Sequence, residues 1–183
     1  MTGRLTESQD FVIEFPVGYP TQPPRFSFDG IHLRITDYKF VVHPQQIEDA
    51  AVNRMCEIAT ATLNALPHTP VSAIGVNFQY VEDSPSTELA GTFQIPDAAR
   101  ISDVGATVAT TLITRHLTVD GLTCNLKLTF DSADNVVFDF NFHRDTPEGA
   151  SAAIEFLNHG VDVYRDVALQ FLENVYQLIP ESE

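Results

Sequence analysis

The chain has no tryptophan and, in 183 residues, only two cysteines, two methionines and ten basic side chains. Each shortage closes off a class of function. Two cysteines, Cys56 and Cys124, are too few for a disulfide framework or a four-cysteine zinc site. Both fall within apolar patterns, so they are expected to be buried free thiols in a reducing compartment. Ten basic residues, of which only Lys39 and Lys127 are lysines, stand against 25 acidic ones, for a formal charge of −15. Such a surface repels phosphate backbones, which argues against direct binding of nucleic acid. The acidic residues are scattered, with no run longer than Glu82-Asp83, so they do not form the rows that imitation of a nucleic acid would need. Solubility is the plainest cause of the charge, and a salt-rich habitat is another. Glycines such as Gly18, Gly75 and Gly105 are isolated, and no phosphate-cradling loop can be built from them. No apolar run reaches the length of a membrane span, and Met1–Asp10 is polar, without the apolar core of a signal peptide. The expectation is a cytoplasmic protein that does not engage membranes.

What the chain does have is 44% hydrophobic residues and no low-complexity linker, which predicts one domain over residues 1–183. Two Asp-Gly pairs, Asp29-Gly30 and Asp120-Gly121, each separate two strand-like runs and predict two-residue hairpins. The first joins Phe26–Phe28 to Ile31–Ile35. The second joins Ile113–Val119 to Leu122–Phe130, with Val119 facing Leu122 and Leu117 facing Cys124. Alternation then collects Leu122, Cys124, Leu126, Leu128 and Phe130 on one face, continued by Val136, Phe138, Phe140 and Phe142 after the loop Asp131–Asn135.

Further strands are expected at Phe11–Phe15, before the proline-rich turn Pro16 to Pro24, at Tyr38–Val42, and at Val71–Val81, where Ile74, Val76, Phe78 and Tyr80 oppose Gly75, Asn77 and Gln79. Gly75 marks either a bulge or a close backbone approach. A helix is predicted from Gln45 to Leu66 on the stripe Ile47, Ala51, Met55, Ile58 and Leu66, ended by Pro67. A long C-terminal helix starts at a Thr146-Pro147 cap and carries Leu157, Val161, Tyr164, Ala168, Phe171 or Leu172, Val175 and Leu178 or Ile179 toward the apolar sheet face. Gly160 within it leaves open a kink or break near Asn158-His159-Gly160. Residues 82–103 are expected to lie at the surface, with a short strand near Thr92–Ile95. The fold class is therefore α+β: a mostly antiparallel sheet of about six to eight strands, packed on one face by a mid-chain helix and the C-terminal helix. Each half also holds an Asp-Gly hairpin, further strands and a later helix, a faint two-fold echo.

The most site-like group is the polar face of the C-terminal strands: Thr114, His116, Thr123, Asn125, Lys127, Asp139, Asn141 and His143. Carried across the strands, the expected rows are His116, Thr123 and His143, then Thr114, Asn125 and Asn141, then Leu112, Lys127 and Asp139. The two histidines would be two strands apart, roughly 9–10 Å at the backbone, too wide for shared metal ligation. No metal and no cofactor is expected. Lys127 opposite Asp139 reads as a cross-strand ion pair. Arg115 falls on the apolar face opposite Leu126, where an unpaired guanidinium is costly. Either a bulge before Leu117 shifts the register, which is the favoured reading, or Arg115 lies at the sheet margin, or it meets a buried carboxylate. Catalytic residues are not evident. Ser84, Ser86 and Ser132 lie in loops without a glycine elbow, and His32, His43, His68 and His159 are dispersed.

The strand Val136–His143, followed at once by a helix that contains Asn158-His159 and closes through Phe171 and Tyr176, resembles a group of sporadically distributed, uncharacterised bacterial proteins. That resemblance covers the C-terminal third and implies an accessory role in a bacterial or phage setting. The residues themselves point to a non-catalytic assembly subunit that contacts a protein partner or further copies of itself. The alternative is a small apolar-ligand binder with a pocket between the sheet and the C-terminal helix.

Overall fold

The structure, a computed structural model, describes residues 11–15, 23–46, 48–119, 122–131 and 133–179. The polar start Met1–Asp10, most of the proline-rich turn, Ile47, the Asp120-Gly121 pair and Ser132 lie outside the described residues. The chain forms two compact units, Met1–Ser72 with Thr146–Val161, and Ala73–Asp145 with Asp162–Glu183. In place of one six- to eight-stranded sheet there are two antiparallel sheets of four strands.

The first unit begins with a meander of β1 (Val12–Glu14), β2 (Arg25–Phe28), β3 (Ile31–Ile35) and β4 (Phe40–Pro44). Asp29 and Gly30 both take positive φ, 49° and 71°, which is the geometry that makes Asp-Gly the preferred two-residue turn. Phe28 consequently pairs with Ile31, and the register continues from there. Phe28, Ile31 and Leu33 are buried with Ile58 of helix α1 (Asp49–Ala65), flanked by Phe26, Phe40, Val42 and Met55. Arg54 ties α1 to the turn by donating to Asp29 at 3.2 Å and to Glu57 at 2.9 Å. Buried Thr62 satisfies its hydroxyl within the helix, on Ile58 O at 2.7 Å.

The second unit orders its strands β5 (Ala73–Glu82), β8 (Val136–Asp145), β7 (Leu122–Phe130) and β6 (Thr111–Val119). The pairings Val119↔Leu122 and Leu117↔Cys124 stand as expected, with two residues left for the reversal. Gly75 is a close approach and not a bulge. The β5–β8 register runs without interruption, and a Cβ on Gly75 would sit 3.1 Å from Phe142 O. Leu126, Leu128, Val136, Phe138, Phe140 and Phe142 are almost wholly buried. Helix α5 (Val161–Tyr176) lays rings on that face: Tyr164 at 5.5 Å from Phe142, Phe171 at 6.4 Å from Phe140 and Tyr176 at 4.9 Å from Phe138. The stripe ends early, since Val175 and Ile179 are exposed.

The C-terminal helix is in fact two. Gly160, at φ 87°, separates α4 (Ala150–Asn158) from α5, and α4 packs against α1 in the first unit. Only glycine adopts that backbone readily, so the break is encoded at this residue. Thr146 does not cap a helix. It is buried, its hydroxyl donates to Val71 O at 2.8 Å, and its amide donates to Ser72 O at 2.9 Å. Residues 147–149 form a turn, and α4 starts one residue after Gly149. Residues 82–103 also differ from expectation. No strand forms at Thr92–Ile95. Two short helices, α2 (Thr87–Gly91) and α3 (Ala98–Asp103), flank it instead, and Leu89 and Phe93 are buried, Phe93 stacking on Phe130 at 5.3 Å.

Candidate functional site

All eight residues of the expected polar face lie on the outward side of the second sheet, and they are exposed or half-exposed. The rows, however, differ from those read off the sequence. A turn closed by Val119 and Leu122 pairs the residues equally far from it, so His116 opposes Asn125 and not Thr123, Thr114 opposes Lys127 and not Asn125, and Leu112 opposes Thr129 and not Lys127. The β7–β8 part of the rows stands, with Thr123↔His143, Asn125↔Asn141 and Lys127↔Asp139.

Strand β5 adds a fourth member to each row, which the sequence alone did not place. Four rows cross the sheet: Gly75, His143, Thr123, Thr118; Asn77, Asn141, Asn125, His116; Gln79, Asp139, Lys127, Thr114; and Val81, Val137, Thr129, Leu112. The alternation of Asn77 and Gln79 was legible. Their strand partner was not, because 53 residues separate Glu82 from Val136 and nothing local fixes that pairing.

Within the rows the side chains hold one another. His116 Nδ1 and Asn125 Oδ1 are 2.5 Å apart, Asn125 Nδ2 reaches His143 Nδ1 at 3.4 Å, and Asn141 donates its amide to Asn77. Lys127 Nζ lies 2.8 Å from one Asp139 oxygen, and Gln79 Nε2 donates to the other at 2.6 Å. Burial pushes the Asp139 carboxyl up. The hydrogen bonds from Lys127 and Gln79, with the Lys127 charge, outweigh it and hold the group below its ordinary range. The last row is apolar, with Val81 and Leu112 each about 60% exposed.

Among the described residues Arg115 meets no bulge and no carboxylate. It stays opposite Leu126 on the apolar face and is half-buried at the sheet margin, because β6 is an edge strand. Its Nη1 donates to the Tyr176 hydroxyl at 2.9 Å. Burial raises the Tyr176 phenol, and the Arg115 charge and hydrogen bond offset part of that rise. On the same apolar face, burial raises the Cys124 thiol, opposed in part by a hydrogen bond from the Asn141 backbone. That makes it a poor nucleophile.

Two histidines that look dispersed in the sequence come together in the first unit. On the side of the meander away from Phe28 and Leu33, Ser27, His32 and His43 form one row, with ring centroids of the histidines 4.9 Å apart and Ser27 Oγ 2.7 Å from His32 Nδ1. Burial, then the charges of Arg25 and His43, lower the His32 pKa from its ordinary value. A Ser–His contact invites comparison with a nucleophile and its base. Here Ser27 is only 9% exposed, and the second group against His32 is another imidazole where an orienting carboxylate would be needed.

Among the described residues no group of three or more His, Cys, Asp or Glu side chains is disposed to hold a metal, and no helix is long and apolar enough to cross a membrane. Compared with known proteins, the chain matches no family model, no curated protein and no solved structure.

Proposed function

We propose that the protein is a non-catalytic assembly subunit that self-associates through the outward face of its second sheet. The observation that carries this is the composition of the four rows. Apart from His116 and His143, Lys127 and Asp139 are the only acidic or basic residues of these rows and neutralise each other, in a chain of formal charge −15. Two copies can therefore meet face to face at this sheet without the repulsion that opposes contact elsewhere. The face is also self-complementary. With His116 donating through Nδ1 to Asn125, its Nε2 offers a lone pair, whereas His143, accepting at Nδ1 from Asn125, offers Nε2–H. The apolar row of Val81, Val137, Thr129 and Leu112 supplies a desolvating strip.

Four strands about 4.8 Å apart and four rows about 7 Å apart make a face of roughly 500 Å² per copy, near the lower bound for specific association. Weak, concentration-dependent pairing follows. The accessory bacterial or phage role implied by the C-terminal resemblance is compatible with such a subunit. The alternative of an apolar-ligand pocket between the second sheet and its helix has less support, because Phe138, Phe140, Phe142, Tyr164 and Leu172 are packed there with almost no exposure.

Sedimentation velocity over a concentration series tests the proposal. Dimer or higher species are expected for the native chain, and Leu112→Arg or Val81→Arg should shift it to monomer with unchanged circular dichroism. A strictly monomeric native chain at millimolar concentration, or assembly indifferent to both substitutions, would overturn it.

A further inference from the structure

We propose that His32 and His43 form a two-histidine site for a divalent transition metal, on the outward face of the first sheet and independent of the assembly face. The two residues are direct cross-strand partners on β3 and β4, with ring centroids 4.9 Å apart. Two imidazoles bound to one ion at about 2.0–2.1 Å per nitrogen, with an N–metal–N angle between about 90° and 110°, place their centroids roughly 4.5–5.2 Å apart. The observed separation falls within that range.

The outer contacts favour the same atoms. With His43 Nδ1 donating to Pro44 O at 3.4 Å, Nε2 of His43 holds the lone pair. Ser27 lies against His32 Nδ1 on the other side of the pair. With that nitrogen donating to Oγ, Nε2 of His32 is likewise the free donor atom. Metal-binding histidines almost always anchor their second nitrogen in this way, on a carbonyl or another oxygen. Among the described residues neither Nε2 has a hydrogen-bond partner. Ser27 is buried beside His32 on β2 and holds it in place, while His43 is exposed and gives the ion an entry path.

Nearby charge narrows the choice of ion. Glu14, in the adjacent row, is taken up by Arg25, and Arg25 and Arg34 both place positive charge near His32. A hard cation that depends on carboxylate charge, such as Mg²⁺ or Ca²⁺, has nothing to hold it here. Imidazole pairs suit Cu²⁺, Ni²⁺ and Zn²⁺, with copper the tightest, and water completes the coordination.

The test is calorimetric titration of the full chain with CuCl₂, NiCl₂, ZnCl₂ and MgCl₂, with paramagnetic resonance of the copper form. One Cu²⁺ per chain with the hyperfine pattern of two nitrogens is expected, then weaker Ni²⁺ and Zn²⁺ and no Mg²⁺. His32→Gln and His43→Gln should each abolish Ni²⁺ and Zn²⁺ binding, and Ser27→Ala should weaken it about tenfold. The pair His68→Gln and His159→Gln, outside both sheets, should leave it unchanged. Because His43 is exposed, its substitution leaves the fold intact by circular dichroism, and the copper spectrum of the native chain needs no variant. Absence of binding, a spectrum with a single nitrogen, or binding that survives His43→Gln would overturn the site.

Discussion

Removing the Tyr176 hydroxyl isolates the most unusual contact in the fold. Tyr176→Phe keeps the ring against Phe138 at 4.9 Å and deletes only the acceptor that faces Arg115 Nη1 at 2.9 Å. A hydrogen bond to a charged group contributes about 1.5–3 kcal/mol when shielded. Both residues are half-buried, so water recovers part of that loss, and a net cost of about 1 kcal/mol is expected. For a chain of this length that is a fall of about 2–4 °C in melting temperature. Arg115→Leu acts in the opposite sense, because it places an apolar side chain opposite Leu126 on an apolar face. The double variant Arg115→Leu with Tyr176→Phe should be at least as stable as the native chain, since replacing both partners by apolar groups leaves no orphan. Urea unfolding of the four proteins, followed by circular dichroism, gives the coupling energy, expected near 1 kcal/mol. A Tyr176→Phe variant indistinguishable from native, or a double variant whose stability is the sum of the two single effects, would refute the assignment of Arg115 to Tyr176.

Three further outcomes follow from the same packing. Phe140→Ala, which empties a site among Tyr80, Phe142 and Phe171, should destabilise the chain by about 3–5 kcal/mol in the same assay, whereas Val175→Ala should cost little. Asp139 should titrate below the ordinary carboxylate range by carbon-detected magnetic resonance. Because its folded pKa is depressed, its stabilisation is complete above the unfolded value of about 3.9 and is lost as pH falls through the folded one. Lys127→Met removes the dominant opposing charge, leaves burial in control, and should move the Asp139 titration upward. A thiol reagent should modify half-buried Cys56 well before Cys124, whose burial also raises its pKa; equal rates would contradict the sheet packing.

Much of the fold was legible wherever the determinant was local. Asp29-Gly30 demanded two positive φ values, and the register of β2 and β3 followed from them. The alternation through Leu122–Phe130 and Val136–Phe142 fixed which face was apolar. Gly160 announced a possible break, and the structure places one there. What could not be read was non-local. Nothing near Ala73–Glu82 indicates that it pairs with β8, and nothing near Thr146 indicates that its hydroxyl satisfies Val71 O, 75 residues away. The division into two four-stranded sheets is not legible for the same reason, since each hairpin signal is equally compatible with one larger sheet. For the candidate face, alternation placed the eight side chains on one side of the sheet, but all three partnerships expected between β6 and β7 were displaced by one pleat. The juxtaposition of His32 and His43 was encoded in the register of β3 and β4, yet Tyr38–Val42 read only as a strand that extended or followed the one before it, so no partner could be assigned.

The central claim is the row structure of the second sheet, on which the neutral outward face and the proposed assembly both depend. Cross-strand nuclear Overhauser contacts measure it directly. Backbone contacts should connect His116 with Asn125, Asn125 with Asn141, and Asn141 with Asn77. A contact of His116 with Thr123 in place of Asn125, or the absence of any contact between residues 73–82 and 136–145, would contradict it.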